Sequence, residues 1–462
     1  MTFDLGRLLA DRGREKYALH EKYLNVQLVR VLRTIGYDVD FVSAEGPYLT
    51  DAAGRRYLDL LSGFGVFAVG RNHPAVADAL RQVIEARLPG LVQMDVSALA
   101  GVLAERLLAL TGMDRAFFCS SGAEAVEGAI KFARTATGRG KLVFCDHAYH
   151  GLTLGALSVN GSEVFRKGFQ PLLPGCVEIP FNDLQALERT LAARDVAAFV
   201  VEPIQGKGVY MPEDGYLAEA AKLCRKYGTL FIADEIQTGL GRTGRFLACE
   251  HWNVEPDIVL LSKALSGGFA PVGAILMKQW IHAKMFDRMD RALVHGSTFA
   301  KNDLAMAAGL STLGVIEDEK LISRAARMGE TIMADLSALR ERFELVKDVR
   351  GKGLMIGIEF GKPKSLLLKG AWSMIEAASE GLFSQMVLLP LFKDHRILTQ
   401  VSGPGVNIIK LLPSLTITED DRSWIRRGFE HAIADCHRVP GAAWDLGRTL
   451  ATHSMRARAK AS

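Results

Sequence analysis

The chain has 462 residues, of which 49% are apolar and 23% charged, and its formal net charge is +4. That balance suits a globular chain with ample core material and leaves no electrostatic footprint for nucleic acid. The 6 cysteines form no C-x-x-C pair and no zinc-like spacing, which points to small buried thiols in a reducing compartment, the cytoplasm, and to no metal site.

The N-terminal stretch "MTFDLGRLLADRGREKYALHEKY" lacks a long apolar segment, so no secretory leader is expected there. No apolar run along the chain is long enough to cross a bilayer. Residues 46–61, "GPYLTDAAGRRYLDLL", read as two short strands around the turn "DAAG". Next comes "GFGVFAVG", with Gly63, Gly65 and Ala68 in dinucleotide-fingerprint spacing. The turn "RNHP" follows where that fingerprint needs a helix, so a glycine-rich loop is the better reading. From about residue 75 the period becomes helical, in "AVADALRQVIEARL" and "SALAGVLAERLLAL".

Short apolar strands then alternate with helices. The strands are "RAFFCSS", "KLVFCD", "AAFVVEP", "TLFIADE", "DIVLLSK" and "GAILMK", with helices over 123–136 and near 215–227. This alternation builds an α/β fold around a mostly parallel sheet covered on both faces. Helical patterns run from 303 to 342, and the remainder, with "LMIGIEF" and "NIIKLLPSL", reads as a smaller α+β domain. The expected division is an N-terminal segment, 1–74, joining the small domain; a large domain, 75–330; and a C-terminal small domain, 331–462. The final "RARAK" reads as a solvated tail.

In such a sheet ligands collect beyond the carboxyl ends of the strands. Ser121, Gly122 and Ala123 lie between a strand and an amphipathic helix, and Ser121 with Glu124 fits a capping box. The exposed N–H groups there suit a phosphate, and equally an ordinary helix start. Asp146, His147, Tyr149 and His150 crowd after "KLVF"; Tyr149 is able to stack on a flat ring or to pack in the core. Glu202, and then Asp234 with Glu235, stand just past buried strands, where a carboxylate needs a cationic partner or a cap. Lys263 ends the strand that follows Asp234. An acid and a lysine at adjoining strand ends are what pyridoxal 5'-phosphate needs: a lysine for its aldehyde and a carboxylate for its ring nitrogen.

The chain resembles the class III (ornithine and ω-amino type) aminotransferases that use this cofactor, and within them the putrescine aminotransferase branch. The resemblance runs from about residue 25 to 435, through "LSGFGVFAVGRNHP", "FFCSSGAEAVEGAIKFAR", "AYHGLTLGALS", "PLLPG", "VVEPIQGKG", "ADEIQTGLGRTGRFLACEH", "PDIVLLSKALSGGFAPVGA", "HGSTFAKNDLAMAAGL" and "VRGKGLMIGIEF". It implies PLP fold type I, aspartate aminotransferase-like, in a homodimer with shared active sites. By resemblance Lys263 forms the Schiff base and then works as acid and base. Asp234 pairs with the ring nitrogen, and Ser121, Gly122 and Ala123 hold the phosphate. Tyr149 stacks on the ring and Gln237 meets its hydroxyl. Thr298 reaches the phosphate from a second copy of the chain, and His150, Ile236 and Ser297 complete the cofactor set. Phe64, Glu202 and Lys410 are the expected substrate residues, with Glu202 counted among the catalytic ones.

The implied reaction moves an amino group between a primary amine or ω-amino compound and a 2-oxo acid such as 2-oxoglutarate or pyruvate. Two departures stand out. Lys410 takes the place of an arginine that grips a carboxylate as a fork, which a lysine does not reproduce, and Glu202 is its expected partner. "STFAKND" puts Ala300 and Lys301 where many relatives have two glycines; Lys301 reads as a surface residue. Residues 363–406 hold the apolar run "MVLLPLF", read as a buried strand beside a packing helix. The same region is similar to hopanoid-pathway aminotransferases, which would make it an apolar path for a large aldehyde aminated from glutamate, or a peripheral membrane contact. Another reaction of the same cofactor, on a mutase or a decarboxylase, stays open.

Overall fold

A computed structural model of the chain describes residues 3–92, 95–441, 443–445, 447–448 and 450–451. The basic tail lies outside them.

The centre is a seven-stranded sheet in the order Arg115–Cys119, Gly273–Met277, Ile258–Leu261, Leu230–Asp234, Val196–Val201, Lys141–Cys145, Cys176–Ile179. The last five run parallel, and only Gly273–Met277 is antiparallel to both its neighbours. Side chains along a strand alternate between faces. Leu142, Phe144, Val200, Ile232 and Leu260 therefore enter one core cluster, while Val143, Phe199, Val201, Phe231 and Val259 enter the other. Burial on both faces explains why these segments read as continuous apolar runs rather than alternating ones.

The helix Gly122–Thr137 covers one face with Val126, Ala129, Ile130, Phe132 and Ala133, spaced three and four apart, and stops at Gly138 with φ 68°. Its start differs in detail from the expected capping box. Ser121 Oγ accepts from Glu124 N at 3.2 Å, but the Glu124 carboxylate takes Ser120 N at 2.8 Å instead of Ser121 N. The extended backbone of Ser121 (φ −156°) carries its own N–H out of the glutamate's reach.

Two four-stranded sheets complete the fold. One pairs Phe41–Glu45, Tyr48–Asp51 and Arg56–Asp59 with Ile397–Leu398 from the far end of the sequence. The other runs Val346–Lys352, Met355–Phe360, Ile408–Leu411, Gln400–Val401. Leu412 N donates to Leu60 O and Leu415 N to Ala68 O, each at 2.7 Å. These bonds fasten the glycine-rich loop of residues 61–68 to the end of the strand that carries Lys410.

The strand expected for "MVLLPLF" is a helix, Phe383–Lys393, with Pro390 inside it. Met386, Val387, Leu388, Leu389, Leu391 and Phe392 are all buried. A helix buried all round has no polar stripe, so its apolar run is indistinguishable from a buried strand by period. The run is spent on the core, beside the helix Glu419–Cys436. Leu391→Ala should cost about 3 kcal/mol through the cavity it leaves, measured as a lower denaturation midpoint with an unchanged m-value.

Candidate active site

Lys263 and Asp234 meet where the sheet ends. Asp234 is the last residue of Leu230–Asp234 and pairs in register with Leu260; Lys263 lies two residues past the next strand. Lys263 has φ 39°, a left-handed conformation that costs a side-chain-bearing residue of order 1–3 kcal/mol and tends to persist at functional sites. Its Nζ makes no hydrogen bond or ion pair among the described residues. Burial pulls the ammonium below its ordinary pKa, against the opposing pull of Asp234 and Glu202.

The Asp234 carboxylate is buried, at 3% exposure, and accepts from Ile236 N at 3.1 Å. Its other oxygen lies 2.6 Å from His150 Nδ1. With the carboxylate oxygen as acceptor, Nδ1 is the donor of this bond. Burial alone would lower the imidazole's pKa, but the Asp234 bond reverses the sign and holds it up. Glu235, the adjacent carboxylate, points the other way and is bound by the Thr238 hydroxyl and Cys249 N. It is a core group and takes no part in the site.

A continuous hydrogen-bonded chain runs from the Phe64 carbonyl to the Tyr149 N–H. Gln237 Nε2 donates to Phe64 O at 3.1 Å. Lys410 Nζ donates to Gln237 Oε1 at 3.2 Å and to Gly206 O at 2.6 Å. Gly206 N donates to one Glu202 oxygen at 2.7 Å and Tyr149 N to the other at 2.9 Å. The expected Glu202–Lys410 ion pair is therefore absent: both carboxylate oxygens are taken by backbone N–H groups, and the ammonium turns to a carbonyl and an amide. Burial raises the Glu202 carboxyl above its ordinary range and drops Lys410 to about 7.

The helix start lies on the other side. The first N–H groups of Gly122–Thr137 have no acceptor within the helix. Ser297 Oγ comes within 3.3 Å of Ser120 Oγ there, while Thr298 and Lys301 are exposed and Ala300 is buried. Ile236 packs at Gly122, where an added Cβ would sit 3.1 Å from it. Gly151 has φ 125°, and a Cβ on it would lie 2.9 Å from Ala123 Cβ, so only glycine lets the Tyr149–His150 loop close on the helix start. Tyr149 is half-buried and meets Phe165 edge-on, with centroids 5.7 Å apart.

Residues 34–433 match the family model described as "Aminotransferase class-III". The chain belongs to the class III aminotransferases. Its relatives include the aminotransferase PigE of a Serratia species, 36% identical over 434 residues, which cover 87% of this chain and 51% of that one. The chain thus spans about half the length of that curated relative. Among solved structures it is similar to the ornithine aminotransferase of Toxoplasma gondii, at 32% identity and a TM-score of 0.78 over 89% of this chain and 96% of that one. It is also similar to an amine transaminase from an uncultivated Pseudomonas species in its PLP-bound form, at 30% identity and a TM-score of 0.74 over 86% and 95%.

The fold is PLP fold type I, and the cofactor of a class III aminotransferase is pyridoxal 5'-phosphate. The residues present fit that group. An amine with no partner among the described residues, a buried carboxylate bonded to His150 Nδ1 and a helix start with open N–H groups lie along one edge of the central sheet. Sequence reasoning passed over Lys207 and Phe165, which lie beside Tyr149. The only signal for Lys207 was a lysine between glycines just after Glu202.

Proposed function

We propose that the chain transfers an amino group between a primary amine or ω-amino compound of the diamine type and a 2-oxo acid such as 2-oxoglutarate or pyruvate. The observation that carries this reading is the unpartnered Lys263 amine facing the buried Asp234 carboxylate across adjoining strand ends. Bound pyridoxal phosphate supplies an aldehyde that takes up amines and a ring that withdraws electrons.

The chain's own residues do the rest. Lys263 Nζ is the nucleophile toward that aldehyde. With the cofactor and an amine bound, the same nitrogen would act as base toward the carbon bearing the substrate nitrogen and then as the acid that gives the proton back. Its lowered pKa leaves more of it neutral, which both tasks need. Asp234, oriented by His150, keeps the proton on the ring nitrogen. Ser121, Gly122 and Ala123 hold the phosphate, joined by Ser297 and by Thr298 of a second copy. Tyr149 and Ile236 flank the ring and Gln237 meets its hydroxyl. Phe64, Glu202 and Lys410 border the substrate.

In this reading the enzyme is a cytoplasmic homodimer whose large domain spans 75–330, with 1–74 and 331–462 forming the small one. Among the described residues no helix is long and apolar enough to cross a membrane.

The test is the visible spectrum of the purified protein, followed during single half-reactions with putrescine, cadaverine, ornithine, β-alanine, glutamate and a long-chain alkylamine. A cofactor band bleached by the diamines and restored by an oxo acid is the expected result. Bleaching by glutamate and the long-chain amine alone would replace the diamine reading with amination of a large apolar aldehyde. The absence of any band after adding pyridoxal phosphate would remove the assignment.

A further inference from the structure

Lys207 is only partly buried, yet its Nζ is shielded from solvent and finds no hydrogen-bond acceptor among the described residues. It sits 4.1 Å from the Phe165 ring centroid and 5.8 Å from that of Tyr149, and its stem runs along Gly403. Rings attract an ammonium but accept no hydrogen bond of ordinary strength from it. Desolvation of an unpaired ammonium is costly, and here it pulls the Lys207 pKa down to about 8.

The charges around it do not supply a partner. Glu202, the one carboxylate that acts on Lys207, has both oxygens taken by Tyr149 N and Gly206 N. Arg350, which binds Gly208 O, is neutralised by Asp348 and Glu359. Lys410 feels both Lys207 and Lys263 as like charges. Lys410 uses two of its three donors on Gly206 O and Gln237 Oε1. With Lys263 committed to the cofactor, two lysine nitrogens with unused hydrogen-bonding capacity remain beside one satisfied carboxylate. A site built so is short of one anion.

We propose that Lys207, with the spare donor of Lys410, binds a carboxylate of the oxo-acid substrate, so that the acceptor is a dicarboxylate. This rests on the aminotransferase reading above. Phe165 is partly exposed, on the short helix Glu163–Arg166, and its ring covers the ammonium. The site then discriminates by charge: a diamine presents no anion to Lys207, whereas a dicarboxylate satisfies it. Because the two lysines sit near 8 and 7 before binding, an arriving anion drives them toward the charged form and takes up protons near neutral pH.

The test is calorimetric titration of the holoenzyme with glutarate at about pH 8, where both lysines are partly neutral. Two buffers of different ionisation enthalpy, neither of them an anion of the same kind, report the protons taken up. Wild type should bind glutarate with net proton uptake. Lys207→Met should weaken it about tenfold or more, the loss of a charge-assisted contact, and shrink the uptake. Lys207→Arg should bind within a few-fold of wild type. Equal glutarate affinity in wild type and Lys207→Met overturns the proposal. So does wild-type binding with no proton uptake, a result that needs no variant to fold. Diamine bleaching of the cofactor band in wild type reads the aminotransferase assignment separately, so either idea is able to fail alone.

Discussion

Lys263→Ala should reduce turnover by about 10⁴-fold or more, because in the proposed reaction one nitrogen serves as nucleophile and as acid–base and both contributions vanish together. Folding should not suffer. The Lys263 amine has no partner to lose among the described residues, and its pKa is already held down by burial, so replacing it removes a desolvation cost. The left-handed backbone at φ 39° strains alanine about as much as lysine. Thermal midpoints of the cofactor-free proteins should therefore agree within a few degrees or favour the variant. Reduction with borohydride followed by peptide mapping gives an independent readout. The cofactor's mass should appear on the wild-type peptide containing Lys263 and on no peptide of the variant. A variant that still turns over at more than a hundredth of the wild-type rate would put the chemistry on another group.

Asp234→Asn should lower turnover by about 10³-fold, the scale of losing one preorganised electrostatic contact in a buried site, while leaving the fold intact. In the proposed reaction an amide would keep the shape but not the charge that holds a proton on the cofactor's ring nitrogen. The variant also has a pH signature that does not depend on activity. In wild type the Asp234 bond raises the His150 pKa above its unfolded value. A raised pKa adds stability that is fully present below the unfolded value and is lost as pH climbs through the folded one. Without the carboxylate, burial takes over and the folded pKa falls below the unfolded one, so the sign reverses and acidification destabilises. The stability gap between wild type and variant should therefore widen as pH falls from about 8 to about 5, across the ordinary histidine range. A gap independent of pH would mean that His150 does not titrate against Asp234.

The two adjacent carboxylates show where sequence reading stops. Asp234 and Glu235 both follow the buried run "TLFIA", and either would serve to meet a cofactor. Strand geometry sends neighbours to opposite faces. Only the packing decides which face is the cleft, and Glu235 goes to Thr238 and Cys249. Lys410 is a similar case. Resemblance placed it at a carboxylate-binding position and suggested Glu202 as its partner, but backbone N–H groups had already claimed Glu202. Such bonds are invisible in sequence because any residue type donates them.

What the sequence determined alone was local. Apolar runs of strand length with helical periods between them specify the α/β class, since period and length are properties of the chain itself. The strand-end positions of Asp234 and Lys263 followed from the same pattern, because a parallel sheet brings consecutive strand ends together. Tertiary structure decided whatever depends on neighbours distant in the chain. The helix at Phe383–Lys393 is one instance: a segment buried on all sides carries no period to betray its form. The closing of the Phe64 loop onto Gln237 and Lys410 is another, spanning the N-terminal, central and C-terminal parts of the chain. Lys207 is the third, because whether its nitrogen finds an acceptor among the described residues depends on everything packed around it.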